Sequence, residues 1–323
     1  MRFPFQHSSA KQSSAGDFDA VGFGENSIDY LIVAPHYLEF NTKLRCTEYV
    51  TTAGGQIASA MIGLQRLGIR TAYAGRFGAD EGGRFGIESL ANEGINTDFV
   101  EVIEGARTQT AFIIIDARNG ERTILWNRDE RLIYSADEAP TEVAQRGRVL
   151  HLDAHNPAAS VVMAQAAKAS GAIVSADFDH VFDGIENLLP LVDILITSEA
   201  FPRELTGITD TRASLAAIKS RYGCALAGIT LGARGAIICC EDQFMETTAF
   251  PVPGGGVDTT GTGDAFHAGF LYGLLRDEEI ETSLKLACAV AALKCRNLGA
   301  RAGLPTIHEL NDFNEWRRRG SID

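Results

Sequence analysis

The residues best placed for chemistry form the run Gly254-Gly255-Gly256-Val257-Asp258-Thr259-Thr260-Gly261-Thr262-Gly263-Asp264-Ala265-Phe266. Phe266, Phe270 and Leu274 then recur every four residues, which is helical spacing. Gly261, Thr262 and Gly263 at a helix N-terminus offer unpaired backbone N–H groups with little side chain in the way. The helix macrodipole adds partial positive charge there. An anion suits that position, and phosphate is the commonest candidate. Asp264, beside it, could accept a proton from an attacking hydroxyl. The same residues also suit a plain helix start, with Thr260 or Asp264 as N-cap and the glycines as a turn.

Such a site needs a scaffold. Short β-branched runs, Ala20–Gly24, Thr71–Ala74, Val149–Asp153, Ala172–Asp177, Ile194–Thr197, Leu226–Thr230 and Ala236–Cys240, read as strands. Helical patterns lie between several of them, as with Ile57, Met61, Leu64 and Leu67. This alternation predicts an α/β fold with a mostly parallel central sheet and helices on both faces. Leu31–Thr52 shows no helix, and Thr110–Trp126 reads as a hairpin turning at Arg118-Asn119-Gly120. These two segments predict a small separate β-sheet acting as a lid. The expected organisation is a disordered tail over 1–17, one domain over 18–310 with lid segments near 31–52 and 110–127, and a helix end or tail over 311–323. Arg317-Arg318-Arg319 would then be a solvated helix end.

Composition excludes several classes. The 323 residues carry 29 Lys+Arg against 42 Asp+Glu, a net charge of −13, which gives no general attraction to nucleic acid or anionic lipid. Backbone N–H groups can still hold an anion without basic side chains. No apolar run reaches the roughly 18–20 residues that span a bilayer, and the N-terminus lacks the apolar core of a secretory signal. Cys46, Cys224, Cys239, Cys240, Cys288 and Cys295 form no metal-spaced cluster, so reduced thiols in a cytoplasmic protein are expected.

Individual residues carry competing meanings. His151 and His155 flank Asp153 without a third metal ligand at suitable spacing, so they mark a strand end beside a pocket. His267 is expected to pack. Arg128 and Arg131 are either surface charges or contacts for a charged substrate group. Val21-Gly22-Phe23-Gly24 begins a dinucleotide fingerprint, but Ser27 stands where its third glycine belongs, and no Walker A sequence occurs.

The run from Asp258 to Phe266 closely resembles the second signature of the ribokinase-like (PfkB) carbohydrate kinases. Gly54-Gly55 and the helix through Leu67-Gly68 resemble the first. The likeness runs in order from about Ala20 to Leu310. It takes in Val21-Gly22-x-Gly24 with Asp29, Gly75-Arg76-Phe77-Gly78 with Asp80, Gly120-Glu121-Arg122-Thr123, Thr230-Leu231-Gly232-Ala233-Arg234-Gly235, and Gly299-Ala300 through Pro305. The resemblance implies ATP-dependent phosphorylation of a sugar hydroxyl, with Asp264 as base and Gly261, Thr262 and Gly263 as the anion hole. It assigns Asp29, Gly54, Gly55, Ser59 and Asp153 to the sugar, and Thr230, Gly232, Gly235, Ser198 and Asn297 to the nucleotide. It implies Mg²⁺ carried on ATP. In many relatives a monovalent cation, with K⁺ the candidate, sits on the segment matching Asp258 and Thr260 and the loop near Asn297 and Gly303. Relatives often pair through the lid, and Ile113, Ile115, Ile124 and Trp126 would form the apolar face that a homodimer covers.

Two departures stand out. Ser59 replaces the family's Asn. Phe201 replaces a Glu tied to Mg²⁺, leaving Glu199 as the nearest carboxylate. A non-catalytic sugar- or nucleotide-binding relative could show such losses, whereas intact Asp264 and Gly261–Gly263 favour catalysis. The leading substrate is an unphosphorylated ribose- or fructose-like sugar. A sugar acid, a sugar phosphate and a nucleoside stay open.

Overall fold

The computed structural model describes residues 1–5, 18–252 and 254–320. Its strands are β1 (Phe18–Phe23), β2 (Ser27–Ala34), β3 (Glu48–Gly54), β4 (Thr71–Gly78), β5 (Asn96–Ile103), β6 (Thr110–Asp116), β7 (Arg122–Asn127), β8 (Gly147–Leu152), β9 (Ile173–Phe178), β10 (Ile194–Thr197), β11 (Leu226–Thr230), β12 (Ala236–Cys240) and β13 (Gln243–Thr247). Nine of them form one sheet in the order β13-β12-β11-β10-β9-β8-β1-β4-β5, and the other four form a second sheet, β3-β2-β6-β7. In the large sheet only the β11–β12 and β12–β13 pairs are antiparallel.

Burial explains this sheet. β4 is buried along its whole length and β12 likewise, as expected for strands covered on both faces. One apolar cluster packs on the helices Gln56–Arg66, Thr262–Leu275 and Ile280–Lys294, and the other on Pro157–Ala169 and Thr211–Tyr222. All seven expected strands are present, most with ends shifted by a few residues. β5 and β13 escaped the sequence reading because they are edge strands with no buried residue, so their pattern is too polar to signal a core strand.

The order of the large sheet reverses at β1. The chain runs from β1 to β4 and β5 on one side, and from β8 through β11 on the other. The crevice at the carboxyl ends of β1 and β8 is therefore the switch point where open α/β sheets bind ligands.

The second sheet lies over that crevice. β2 pairs parallel with β6, and β3 and β7 pair antiparallel outside them. The segment 31–52 proves to be the end of β2, an irregular stretch and β3, while β2 itself begins at Ser27 and so carries Asp29. The expectation about its apolar face is corrected. Ile113 and Ile115 are 2% and 1% exposed and pack with Leu31 and Ala111, with Leu298 against them. Register puts Ile124 and Trp126 on this same face, but both stay exposed, at 44% and 55%, so the correction holds for Ile113 and Ile115 alone. The opposite face is apolar and uncovered as well, with exposed Tyr49, Phe112 and Leu125 and half-buried Tyr30.

The disordered tail is corrected for residues 1–5. Phe3 is buried with its ring edge-on to Phe270 at 5.6 Å, and the Met1 ammonium lies 2.6 Å from Glu281 Oε2. Residues 6–17 lie outside the described residues. The C-terminal helix is Ile307–Gly320, and the side chains of Arg317, Arg318 and Arg319 also lie outside the description. Among the described residues no helix is long and apolar enough to cross a membrane.

Candidate active site

The helix Thr262–Leu275 begins under the lid with Gly261 at its N-cap, φ 74°, and no side chain caps it. Neither Thr260 nor Asp264 is the N-cap: Thr262 Oγ1 turns back to the Thr259 carbonyl at 2.7 Å, and the first-turn N–H groups keep no side-chain acceptor. Gly261 is required twice over, by its left-handed backbone and because a Cβ would press on Ala300. A Cβ on Gly263 would meet nothing within 4 Å, which leaves the helix start open to a ligand. Asp264 stands in the first turn. Burial holds its carboxyl well above the usual carboxylate range, and the negative neighbours Asp177, Glu25 and Asp29 add to the effect. A base raised in this way is better matched to a hydroxyl proton at neutral pH than an ordinary aspartate.

The lid's inward face supplies the opposite wall. Thr52, Asp29, Ala111 and Trp126 are register partners in a row across the four strands, so they share this face. Asp29 is 3% exposed and its Oδ1 accepts from Ser27 Oγ at 2.5 Å. Burial raises its pKa, with Ser27 and Arg301 opposing. Gly54 is needed because a Cβ there would run into the Asp29 carboxylate, and Gly55, at φ 93°, because one would run into the Asn26 backbone.

Between the lid and the sheet lies a carboxylate that the sequence reading did not select. Glu25 follows β1, receives a hydrogen bond from Gln109 and faces His155 Nε2 at 3.5 Å. Burial pushes it up to about 7 against the pull of His155. Asp153 proves to be a brace: Oδ2 accepts from Glu25 N at 2.6 Å and Oδ1 from His155 N at 2.9 Å. His155 packs on Trp126 and Phe182 at ring distances of 6.0 and 5.0 Å. His267 is buried as expected, its Nε2 3.2 Å from Asp177 Oδ1 beneath the helix start. Arg128 is half-buried and committed to the His155 and Leu132 carbonyls and Asn156 Oδ1, while Arg131 pairs with Asp129 at the surface.

Arg301 is a second residue that was missed. It reaches from the loop after Gly299 to donate to the Gly54 carbonyl, to Ser59 Oγ at 3.3 Å and to Ser89 Oγ at 3.1 Å. Its guanidinium thus lies against the short Ser59 hydroxyl, where a family amide would be larger. Burial lowers its pKa to about 10, with Asp29 opposing. The one signal in the sequence was an arginine inside an otherwise small-residue segment, Gly299-Ala300-Arg301-Ala302-Gly303.

Of the residues expected at the nucleotide, Thr230, Ser198, Gly232 and Gly235 lie at the ends of β10 and β11. Thr230 Oγ1 donates weakly to the Thr197 carbonyl at 3.4 Å, and Ser198 Oγ to the Asp179 carbonyl at 3.0 Å. Gly232 opens the turn after β11, and Gly235 closes it at φ 93°, where a Cβ would run into the Thr247 carbonyl. Asn297 follows the Ile280–Lys294 helix. Phe201 is fully buried with its ring 5.6 Å from Phe178 and brings no ligand for Mg²⁺, and Glu199 pairs with Arg234 at the surface. Asp258 and Thr260 lie together: Asp258 Oδ1 accepts from Thr260 N at 2.8 Å and from its Oγ1 at 2.7 Å. Arg122 of β7 donates to Thr259 Oγ1 at 2.6 Å, joining the lid to the anion loop.

Comparison with known proteins agrees with this geometry. The sequence model described as pfkB family carbohydrate kinase matches residues 19–307. An uncharacterized sugar kinase of Archaeoglobus fulgidus is 34% identical over 256 residues, 76% of this chain and 98% of that protein. The ribokinase of Haemophilus influenzae is 27% identical over 302 residues, covering 90% of this chain and 97% of the relative. The structure of Arabidopsis thaliana ribokinase complexed with ribose and ATP superposes with a TM-score of 0.78 at 23% identity, over 92% of this chain and 98% of that one. Signatures, switch-point crevice and lid therefore have one origin: the chain belongs to the pfkB family of carbohydrate kinases.

Proposed function

We propose that this kinase transfers the γ-phosphoryl group of ATP to a hydroxyl of a neutral, unphosphorylated sugar, with Asp264 as the base. The supporting observation is the charge lining the crevice. Asp29, Glu25 and Asp264 converge there as buried or half-buried carboxylates; of the arginines around them, Arg128 donates to carbonyls and Arg301 to Gly54 and Ser59, while Arg122 is exposed and gives Thr259 one hydrogen bond. A sugar acid or sugar phosphate would bring a further negative charge against these three carboxylates. A neutral polyol brings vicinal O–H donors, and carboxylates accept those well. Asp29 and Glu25 would fix the ring, Asp264 would take the proton of the hydroxyl that attacks, and the N–H groups after Gly261 would stabilise charge on the transferred group. Mg²⁺, carried on the nucleotide, would screen the phosphate charge. Turnover of a panel with MgATP tests the reading: neutral ribose- or fructose-like sugars should exceed sugar acids and sugar phosphates in kcat/KM. A preference for any anionic substrate would reverse it.

We also propose that two copies pair through the lid. The outer face stacks Tyr30 on Phe112 with centroids 5.2 Å apart and on Tyr49 at 6.3 Å, beside exposed Leu125. A four-stranded sheet with an uncovered apolar and aromatic face invites a second such sheet. Light scattering is expected to give twice the 34.7 kDa chain mass, and Phe112→Asp to give the single chain. A wild type that stays single at micromolar concentration would refute the pairing.

A further inference from the structure

A buried lysine stands where the family resemblance implies a monovalent cation. Lys294 is 0% exposed, ends the Ile280–Lys294 helix and donates from Nζ to the Asp258 carbonyl at 3.0 Å. The same Nζ lies 3.8 Å from Asp258 Oδ2, and Asp258 is itself 1% exposed. The remaining sites on that carboxylate are taken by donors. Thr260 N and Oγ1 meet Oδ1, and Gly299 N meets Oδ2 at 2.8 Å. These are the segment and the loop that would hold the cation. They present N–H, O–H and ammonium groups around a carboxylate whose charge is already balanced. A second cation there would be a buried positive charge without a counter-ion.

We infer that the Lys294 ammonium does in this chain the work of a bound monovalent cation, so that the kinase needs no K⁺. The inference rests on the kinase reading of the Gly261–Asp264 site. Lys294 touches neither Gly261 nor Asp264 and acts as a positioning residue. It ties Asp258 to the end of the Ile280–Lys294 helix, Asp258 holds Thr260 and Gly299, and Thr260 leads directly into the anion hole. Burial lowers the Lys294 pKa, and the facing Asp258, with Cys295 and Asp264 behind it, opposes that shift, while Arg122 adds to it.

The full chain is compared in KCl, NaCl and choline chloride at equal ionic strength, by thermal melting and by initial rates with MgATP and either D-ribose or D-fructose. The wild type should melt at one temperature and turn over at one rate in all three salts. Lys294→Ala leaves Asp258 without its cation. It should lose activity several-fold in choline chloride, and KCl should raise both its melting temperature and its kcat. A wild type stabilised or activated several-fold by KCl over choline chloride would overturn the inference. So would a folded Lys294→Ala that is fully active in choline chloride or that gains nothing from KCl. Should the variant not fold, the wild-type melting comparison, which needs no turnover, decides alone. Absence of turnover in every salt would count against the kinase reading instead, and melting would still judge Lys294.

Discussion

Asp264→Asn is expected to lower kcat at least about a hundredfold while ATP affinity stays near wild type, since general-base catalysis contributes 10²–10⁴-fold. Asparagine keeps the shape at the start of the helix but cannot take the proton. The pH profile gives the same assignment an independent check. A base works only when ionised, so kcat/KM should fall as pH drops through the Asp264 pKa, and burial places that limb well above the ordinary 3.8. Glu25 contributes to the raised value through its negative charge. Glu25→Gln should therefore move the acid limb toward lower pH, whatever it does to sugar affinity. Steady-state kinetics with isothermal titration of ATP measure both effects. Retention of more than about a tenth of wild-type kcat by Asp264→Asn would remove Asp264 from the role.

The fold was legible wherever burial is one-sided or complete. Runs such as Ala236–Cys240 and Ile194–Thr197 are buried at every position and read as strands without ambiguity. β5 and β13 were illegible because edge strands carry mixed polarity. The lid was visible as two segments, but not its orientation: a period of two assigns Ile113 and Ile115 to one face without saying which face meets the body. Leu298, distant in sequence, decides that. Phe3 docks on Phe270 for a similar reason, since a short polar-flanked tail gives no local sign of the groove that receives it.

The site was legible along the chain and much less so across it. Asp29, Gly54, Gly55, Gly261 and Asp264 sit in contiguous motifs, and the fold brings them together at one crevice. Glu25, Gln109, Arg301 and Lys294 act through partners dozens to hundreds of residues away, so no local pattern marks them. Arg301 and Ser59 are the clearest case. Ser59 alone reads as a lost amide, and only the fold shows a guanidinium from the other end of the chain against its hydroxyl. Asp153 shows the converse. Read alone it is a carboxylate for the sugar, and only the fold shows its two oxygens each accepting from a backbone N–H, of Glu25 and of His155.

Asp29→Asn is expected to raise the sugar KM about a hundredfold and to leave ATP affinity nearly unchanged. Hydrogen bonds to a charged acceptor contribute about 1.5–3 kcal/mol each, and a sugar with vicinal hydroxyls can make two to one carboxylate. Stability should move the other way. Burial is the largest influence on Asp29 and raises its pKa above 3.8 despite Ser27 and Arg301. A carboxyl raised on folding costs the folded state nothing below its unfolded pKa, and the cost is complete above its folded pKa. At neutral pH the wild type therefore bears a penalty that Asn removes, so the variant should melt at the same temperature or higher. Near pH 3 both carboxyl and amide are neutral, and the difference should vanish. This pairing of weaker sugar binding with unchanged or greater stability separates a binding carboxylate from a structural one. Melting curves at the two pH values, with kinetics on the same preparations, test it. A variant that melts well below wild type at neutral pH and weakens sugar and ATP equally would make Asp29 a support for the end of the lid strand.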